Sequence, residues 1–325
     1  MPSKICNVPT NIISGFLGVG KTTAILNLFS KKSDTTKWAV LVNEFGKVGI
    51  DGQVYQSNGI AVKEIPGGCM CCAQGLPLQV AVNRLLRETK PDRLIIESSG
   101  VGHPAGVLKT LSSKDFNNVL KLKAGICLLD PEHLINKNYQ ENDLFNEQLQ
   151  FADILVANKT DLASAEALQA FQQLASTFKP EKTHIASTTN GQLNTDWLDY
   201  KHQPHKQKFS FKALSGTISE ASSGTFSETP SKNWQTHTFH YSENTRFDIE
   251  ALKHWLSTVN ILRLKGIVQT AEGYYLLNYS TRQVDVTQLK KNIKQPLNSY
   301  IEAIDLDLNI GSLESGIASC ITRQP

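Results

Sequence analysis

The chain has 325 residues, of which 40% are hydrophobic and 19% are charged, and its formal net charge is +3. That length favours two domains, and the composition is ordinary for a protein that buries a hydrophobic core. A net charge this small gives no electrostatic argument for nucleic acid or a membrane surface as a partner. The sequence has neither a signal peptide nor an apolar run of the roughly 18 residues that a membrane span needs, so we expect a cytoplasmic protein.

The first 200 residues alternate short apolar runs with longer amphipathic stretches. The apolar runs predict strands at 11–14, 38–43, 61–65, 93–97, 125–130, 154–157 and 184–187. The amphipathic stretches predict helices at 22–30, 77–88, 145–150 and 164–178. Alternating strands and helices are typical of βαβ units, so we predict an α/β fold with a mostly parallel sheet flanked by helices.

The remainder of the chain departs from that alternation. Residues 201–233 are mostly polar or small, which predicts a linker. After it come candidate strands and helices at 235–241, 249–259, 261–270, 274–280 and 301–310, without βαβ regularity. We therefore predict a first domain at 1–200, a linker at 201–233 and a smaller α+β domain at 234–325.

Residues 15–22 read Gly-Phe-Leu-Gly-Val-Gly-Lys-Thr, which is the P-loop pattern G-x-x-x-x-G-K-S/T, and they lie between a predicted strand and a predicted helix. In a P-loop, glycines let backbone N–H groups turn toward phosphates, and the lysine reaches the β- and γ-phosphate oxygens. A glycine-rich turn with a chance Lys-Thr pair is the alternative, and the strand–loop–helix context argues against it. We assign nucleotide binding to Gly15, Gly18, Val19, Gly20, Lys21, Thr22 and Thr23, with Thr22 also a ligand of Mg²⁺.

A second apolar strand ends in Glu97-Ser98-Ser99-Gly100. A carboxylate at that strand end, beside a P-loop, can hold Mg²⁺ through water, and the N–H of Gly100 can reach the γ-phosphate. Glu97 could instead be a solvated residue at the end of a strand. The spacing after the P-loop favours the functional interpretation, in which Glu97 and Lys21 act as catalytic residues.

Asn158-Lys159-Thr160-Asp161 follows the apolar run 154–157. A carboxylate at Asp161 can accept hydrogen bonds from N1–H and the exocyclic amine of guanine, donors that adenine lacks at those positions. The aliphatic stem of Lys159 can lie along the base. An asparagine that merely begins a helix after a strand is the alternative. We predict that Asn158, Lys159 and Asp161 select guanine nucleotides, which makes GTP and GDP the partners.

Six cysteines are present, and three of them, Cys69, Cys71 and Cys72, fall within four residues in a glycine-rich segment. Thiolates at that spacing suit Zn²⁺ or another thiophilic divalent ion, and three of them leave one coordination position open for exchange. A redox-active dithiol or a packed loop is the alternative. Cys127 lies inside an apolar run and is expected to be a buried strand residue.

Together these motifs resemble the CobW branch of the CobW/HypB/UreG P-loop GTPases that serve metal centres, and within it the zinc-binding YeiR-type subgroup. The resemblance covers nearly the whole chain and is carried by residues 15–22, 38–46, 49–51, 64–72, 97–100, 158–161 and 263–266. It implies that Glu44 and Asp51 face the γ-phosphate and that Asp51 orients water or holds Mg²⁺ through water. The histidine-rich tract of many members is reduced here to His202 and His205, so a large metal reservoir is not expected.

The resemblance implies a GTPase that loads Zn²⁺ on its cysteine loop and couples GTP binding and hydrolysis to delivery of the metal to an unidentified client metalloprotein. Its expected catalytic residues are Lys21, Asp51 and Glu97. Two alternatives stay open: delivery of cobalt, nickel or iron to a cofactor pathway, and a zinc sensor or buffer in which GTP only stabilises the fold. The sequence also leaves self-association into a homo-oligomer undecided.

Overall fold

The computed structural model describes residues 5–43, 50–65, 76–178, 181–203, 235–280, 283–289, 298–305 and 307–322. By its contacts the chain divides into two compact units. The first comprises Met1–Phe45 and Gly59–Thr229, and the second comprises Gly46–Asn58 and Pro230–Pro325. None of the described helices combines the length and hydrophobicity that a membrane-spanning segment requires.

The first unit alternates strands with helices along the chain. The strands are β1 (Val8–Ser14), β2 (Trp38–Asn43), β3 (Ala61–Ile65), β4 (Arg93–Glu97), β5 (Leu120–Leu122), β6 (Ile126–Leu129), β7 (Ile154–Ala157) and β8 (His184–Ser187). The helices up to β8 are α1 (Lys21–Lys31), α2 (Ile50–Ser57), α3 (Leu76–Thr89), α4 (Pro104–Leu111), α5 (Lys137–Gln140), α6 (Asp143–Phe151) and α7 (Ala165–Ala175), of which α2 belongs to the second unit. Short 3-10 turns lie at Lys114–Phe116, Pro131–Leu134 and Thr195–Asp199.

The strands of the first unit form one parallel sheet. Its described order is β3-β2-β4-β1-β6-β7-β8, and β5 also pairs with β1. Because the strands run parallel, their carboxyl ends meet at one edge of the sheet. Helix α3 covers one face and buries residues four and seven positions after Leu78, which is the spacing of an amphipathic helix. The prediction of a mostly parallel α/β sheet is confirmed.

The sequence patterns missed four short elements before β8, namely the helices α2, α4 and α5 and the strand β5. Helices α2 and α4 have eight residues each and contain glycine, α5 has four residues and β5 has three. Elements this short span too few turns to show a periodicity, and glycine weakens helix propensity. Helix α6 begins at Asp143, before the predicted start at 145, because Asn142 caps it by accepting the Phe145 N–H at 3.0 Å.

The second unit is built on an antiparallel sheet. Its strands are β9 (Gln235–His240), β10 (Arg263–Thr270), β11 (Gly273–Ser280), β12 (Gln283–Gln288) and β13 (Tyr300–Asp305), in the order β12-β11-β10-β13-β9. Helices α8 (Ile249–Thr258) and α9 (Ile310–Ser319) share one core with it, which includes Leu252, Leu256, Leu264, Val268, Leu313 and Ile317. The prediction of a smaller α+β unit is confirmed.

One predicted element of the second unit is wrong. The run 301–310 is not a single element, because β13 ends at Asp305 and α9 begins at Ile310. Asn309 starts the helix by accepting a hydrogen bond from the Ser312 N–H at 3.0 Å. A capping asparagine of this kind is a recognisable start signal, which the apolar run before it obscured.

Lys182 holds the carboxyl end of α6. Its Nζ donates hydrogen bonds to the carbonyl oxygens of Leu149 at 2.9 Å, Gln150 at 2.8 Å and Ala152 at 2.6 Å. A cation there pairs with carbonyls that a helix end leaves without intrahelical partners, and it opposes the negative end of the helix dipole. Burial lowers the pKa of Lys182 to about 8, an effect that the nearby Asp153 carboxylate partly opposes.

The lowered pKa of Lys182 predicts that its contribution to stability depends on pH. Between about pH 8 and the ordinary lysine value of 10.5, the unfolded chain binds a proton that the folded chain has released, so stability rises with pH in that window. Below that window both states carry the proton, and the folded state bears the full desolvation cost. In urea titrations we expect the unfolding free energy of the wild type to rise relative to that of Lys182→Met from about pH 8 to 10.5. Parallel pH profiles would contradict this.

Candidate functional site

The P-loop lies at the carboxyl edge of the parallel sheet, between β1 and α1. Gly20 has a φ of 94°, and a Cβ there would lie 2.7 Å from Asn158 Nδ2, so the position requires glycine. Lys21 is 7% exposed, and its Nζ donates to the carbonyl oxygens of Gly15 at 2.8 Å and Phe16 at 3.1 Å. The ammonium group therefore folds back over the loop, where a bound phosphate would need positive charge.

Aromatic side chains support the P-loop from the protein interior. Phe16 is 1% exposed, and its ring centroid lies 5.3 Å from that of Tyr139 and 6.0 Å from that of Phe145, both edge to face. His133 stacks on Tyr139 with 3.9 Å between the ring centroids. Edge-to-face contact is a favoured geometry of aromatic pairs. The P-loop pattern leaves position 16 unspecified, so the sequence motif alone did not indicate that this residue anchors the loop.

The register of β1 with β4 brings a carboxylate to the start of α1. Ile13 pairs with Glu97, and the N–H of Ser98 donates to the Ile13 carbonyl oxygen at 2.9 Å. Glu97 is 3% exposed and accepts a hydrogen bond from the Thr22 hydroxyl at 2.9 Å. A hydroxyl beside a carboxylate is the kind of hard oxygen set that Mg²⁺ prefers. The two residues predicted to serve Mg²⁺ are thus neighbours, and Thr23 is exposed in the same turn of α1.

Asn158 joins the P-loop to the loop that follows β8. It is 2% exposed, and its Nδ2 donates to the Val19 carbonyl oxygen at 2.8 Å while its Oδ1 accepts from the Gly191 N–H at 2.9 Å. The Thr160 hydroxyl donates to the Thr188 carbonyl oxygen of the same loop at 3.0 Å. These bonds hold the end of β7 against the P-loop, so a base bound at this end would lie beside the phosphates.

The two other residues predicted to bind the base flank that junction. Lys159 has a left-handed φ of 59°, and its Nζ lies 3.9 Å from Oδ2 of the buried Asp130. Asp161 is exposed. The ion pair holds the Lys159 ammonium group beside Asp130, and the exposed Asp161 carboxylate is accessible to a ligand.

The loop 188–191 is a part of the site that the sequence motifs did not indicate. Asn190 has a φ of 50°, and its carbonyl oxygen accepts from Asn27 Nδ2 at 2.7 Å, which ties the loop to α1. A signal was present, because Asn190-Gly191 is a common turn pair and only two residues separate it from a predicted strand. Since parallel strands end at one edge, that turn had to lie near the P-loop.

The turn after β4 lies against the P-loop. A Cβ on Gly100 would come within 2.6 Å of Leu17 Cδ2, so the two backbones approach closely. Just beyond the turn, His103 Nδ1 lies 2.5 Å from Glu147 Oε2, and this hydrogen bond raises the pKa of His103. Gly100, predicted to reach the γ-phosphate, is therefore beside the loop that would hold the phosphates.

Several predicted residues lie outside the described part of the chain. They are Glu44, Cys69, Cys71, Cys72 and His205, together with the side chain of Asp51. Among the described residues, no group of three or more His, Cys, Asp or Glu is placed to hold a metal ion. The assignment of Zn²⁺ to the cysteine loop stays a prediction.

Cys127 and His202 are residue types that can bind metals, but in this fold both make structural contacts. Cys127 is 1% exposed in β6, and burial raises its pKa to about 11, which confirms the prediction of a buried strand residue. His202 Nδ1 lies 2.8 Å from Oδ2 of Asp153, a fully buried carboxylate that also accepts the Gly125 N–H at 2.7 Å. His202 therefore fastens the end of this described segment to the sheet.

The double role of Asn158 predicts a large loss of stability on truncation. Asn158→Ala would leave the Val19 carbonyl and the Gly191 N–H without their partner, and each unpaired buried group costs on the order of 1–3 kcal/mol. We expect urea unfolding without nucleotide to give a free energy of unfolding lower by about 2–4 kcal/mol. Asn138→Ala, on the exposed surface of α5, is the control and should change it by less than about 0.5 kcal/mol. Equal effects of the two changes would contradict the bridging role.

Comparison with known proteins agrees with this arrangement. Residues 9–186 match the CobW/HypB/UreG nucleotide-binding domain, and residues 236–321 match the cobalamin synthesis protein cobW C-terminal domain. The zinc chaperone YeiR of Escherichia coli (strain K12) is 38% identical over 309 residues, which cover 91% of this chain and 92% of that protein.

Two further relatives match over shorter stretches. The zinc chaperone CobW of Sinorhizobium sp is 28% identical over 214 residues, covering 57% of this chain and 60% of its own. The zinc-regulated GTPase metalloprotein activator 1 of Dictyostelium discoideum is 30% identical over 236 residues, covering 60% of this chain and 50% of its own. Because one family domain spans residues 9–186 and one relative aligns along nearly the whole chain, this protein belongs to the CobW/HypB/UreG family.

Proposed function

We propose that this protein is a GTPase that binds Zn²⁺ and uses its nucleotide state to deliver the metal to a client metalloprotein. The observation that carries the proposal is the convergence of Lys21, the Thr22–Glu97 pair and Asn158 at one edge of the sheet. Its similarity to a zinc chaperone over 91% of the chain supports the choice of metal. GTP and GDP are the nucleotides, and the client is unidentified.

The phosphate half of the site suits hydrolysis assisted by Mg²⁺. Thr22 and Glu97 would hold the ion, Glu97 through water, and a bound Mg²⁺ neutralises charge on the β- and γ-phosphates. Lys21 would exchange its two carbonyl partners for phosphate oxygens, and Gly100 would donate its N–H to the γ-phosphate. Asp51 is the residue that we propose to orient the attacking water.

The base half of the site suits guanine. Asp161 would accept from N1–H and the exocyclic amine of the base, and the Lys159 stem would lie along its face. Adenine presents no donor pair at those positions, so the carboxylate would stay unpaired against it. Asn158 would act indirectly, because its hydrogen bonds to Val19 and Gly191 hold the base half and the phosphate half of the site together.

Asp161→Asn tests the guanine assignment. The variant amide presents its own N–H₂ group toward a base donor in at least one position, so we expect affinity for GTP to fall roughly tenfold or more. Asp34→Asn, at an exposed aspartate after α1, makes the same chemical change elsewhere and should leave affinity unchanged. Binding is measured by titration calorimetry with GTP and ATP. Equal affinity of the unmutated protein for GTP and ATP would reject guanine selection.

The metal half of the proposal depends on the cysteine loop. Cys69, Cys71 and Cys72 would supply three thiolates and leave one position for exchange with a client. Because affinity order alone does not determine which metal a site carries, cobalt, nickel or iron stays a second candidate cargo. A zinc buffer, in which the nucleotide only stabilises the fold, would bind the metal equally in every nucleotide state.

The cysteine loop and the nucleotide site can be tested together. We expect Cys71→Ser or Cys72→Ser to abolish tight zinc binding, because a hydroxyl is a far poorer ligand than a thiolate. Cys6→Ser changes an exposed cysteine and is the matched control. Zinc affinity, measured by competition with a chromophoric chelator, should differ between Mg-GTP analogue, Mg-GDP and no nucleotide, and zinc should shift nucleotide affinity by the same factor. Identical zinc affinities in the three states would support the buffer instead.

A further inference from the structure

Helix α6 places a glutamine amide beneath the turn that follows β4. Gln148 is 1% exposed, and its Nε2 donates to the carbonyl oxygens of Gly100 at 3.1 Å and Gly102 at 3.2 Å. Both partners are acceptors, so only the amine end of the amide can face them. Its Oε1 is buried and makes no hydrogen bond within the described part of the chain. A buried polar atom rarely lacks a hydrogen-bond partner. The orientation of the Gln148 side chain is therefore set by the two bonds that its Nε2 donates.

The clamped segment is the one that carries Gly100. The Gly102 N–H donates to the Ser99 carbonyl oxygen at 3.1 Å, which closes a tight turn. A Cβ on Gly100 would lie 2.6 Å from Leu17 Cδ2 and 2.9 Å from Leu17 N, so the turn presses on the P-loop backbone. No described residue accepts a hydrogen bond from the Gly100 N–H. Gln148 thus holds the carbonyl groups of Gly100 and Gly102, while the N–H of Gly100 is available to a ligand.

The helix that carries Gln148 is itself held at several points. Asn142 caps its first turn, and the ring of Phe145 contacts that of Phe16 in the P-loop. Lys182 bonds to the carbonyl oxygens at its other end. Because the helix is held at both ends, the Gln148 side chain has a defined position. Its two hydrogen bonds therefore fix the position of the turn.

We propose that Gln148 is a positioning residue for GTP hydrolysis, which holds the Gly100 turn at the distance from the P-loop where the Gly100 N–H meets the γ-phosphate. The inference rests on the proposed function, in which Gly100 addresses that phosphate. Transition-state donors act only when they are held in place, so a loosened turn lowers the rate of the chemical step. GDP has no γ-phosphate, and its binding therefore does not depend on Gln148.

Gln148→Met and Gln148→Glu test the inference. Methionine keeps the length without a donor, and glutamate keeps the shape but turns an acceptor toward two carbonyl oxygens. Gln172→Met, at an exposed position of α7, is the matched control. Single-turnover GTP hydrolysis with Mg²⁺ should slow roughly tenfold or more in both Gln148 variants. Affinity for a non-hydrolysable GTP analogue should fall as well, affinity for GDP should stay within about twofold, and the control should match the wild type in all three.

Two results would overturn the inference. One is wild-type hydrolysis by Gln148→Met, and the other is an equal loss of GDP and analogue affinity, which marks a merely structural residue. If Gln148→Glu does not fold, Gln148→Met decides, since the ratio of analogue to GDP affinity is measured within one folded preparation. A wild-type protein that never hydrolyses GTP, with or without zinc, sinks the proposed function. An active wild type with an unaffected Gln148→Met sinks only the role of Gln148.

Discussion

Parallel pairing of β1 with β4 on one side and β6 on the other is the constraint from which the nucleotide site is built. Because parallel strands end at one edge, the segments after β1, β4, β7 and β8 meet there with short connections. The pairing of Ile13 with Glu97 sets the distance from that carboxylate to Thr22. A register slip of one residue would turn Glu97 to the opposite face of the sheet and separate the two oxygens.

A second layer of residues holds that edge without belonging to the motifs. Phe16 anchors the P-loop in an aromatic cluster, Asn158 joins it to the loop after β8, and Gln148 clamps the turn after β4. These contacts order the loops before a ligand binds. A loop that became ordered only on binding would lose conformational entropy at that step, and this cost would weaken the affinity. Helix α6 is central to this layer, since it touches both the P-loop and the turn and is fixed at its end by Lys182.

The two chemistries of the proposed function need different surroundings. The Thr22–Glu97 pair is a compact set of hard oxygens suited to Mg²⁺, whereas Zn²⁺ is held best by thiolates. Cys69, Cys71 and Cys72 lie in sequence between β3 and α3, and β3 pairs with β2, the neighbour of the strand that ends in Glu97. Under the proposed function, a displacement of the strand that ends in Glu97 would reach the segment with the cysteines through β2 and β3, because close-packed elements yield little.

The sequence by itself determined the α/β class, the P-loop at 15–22, the Asn158–Asp161 motif and the family, because these depend on hydrophobic periodicity and contiguous residues. It failed on α2, α4, α5 and β5, which are too short to show a period. Only the tertiary structure decided which distant groups support the motifs. Asn158 bonds to Val19 across 139 positions and Gln148 to Gly100 across 48, and contacts this far apart leave no trace in local pattern, because they exist only once the sheet has brought the strand ends together.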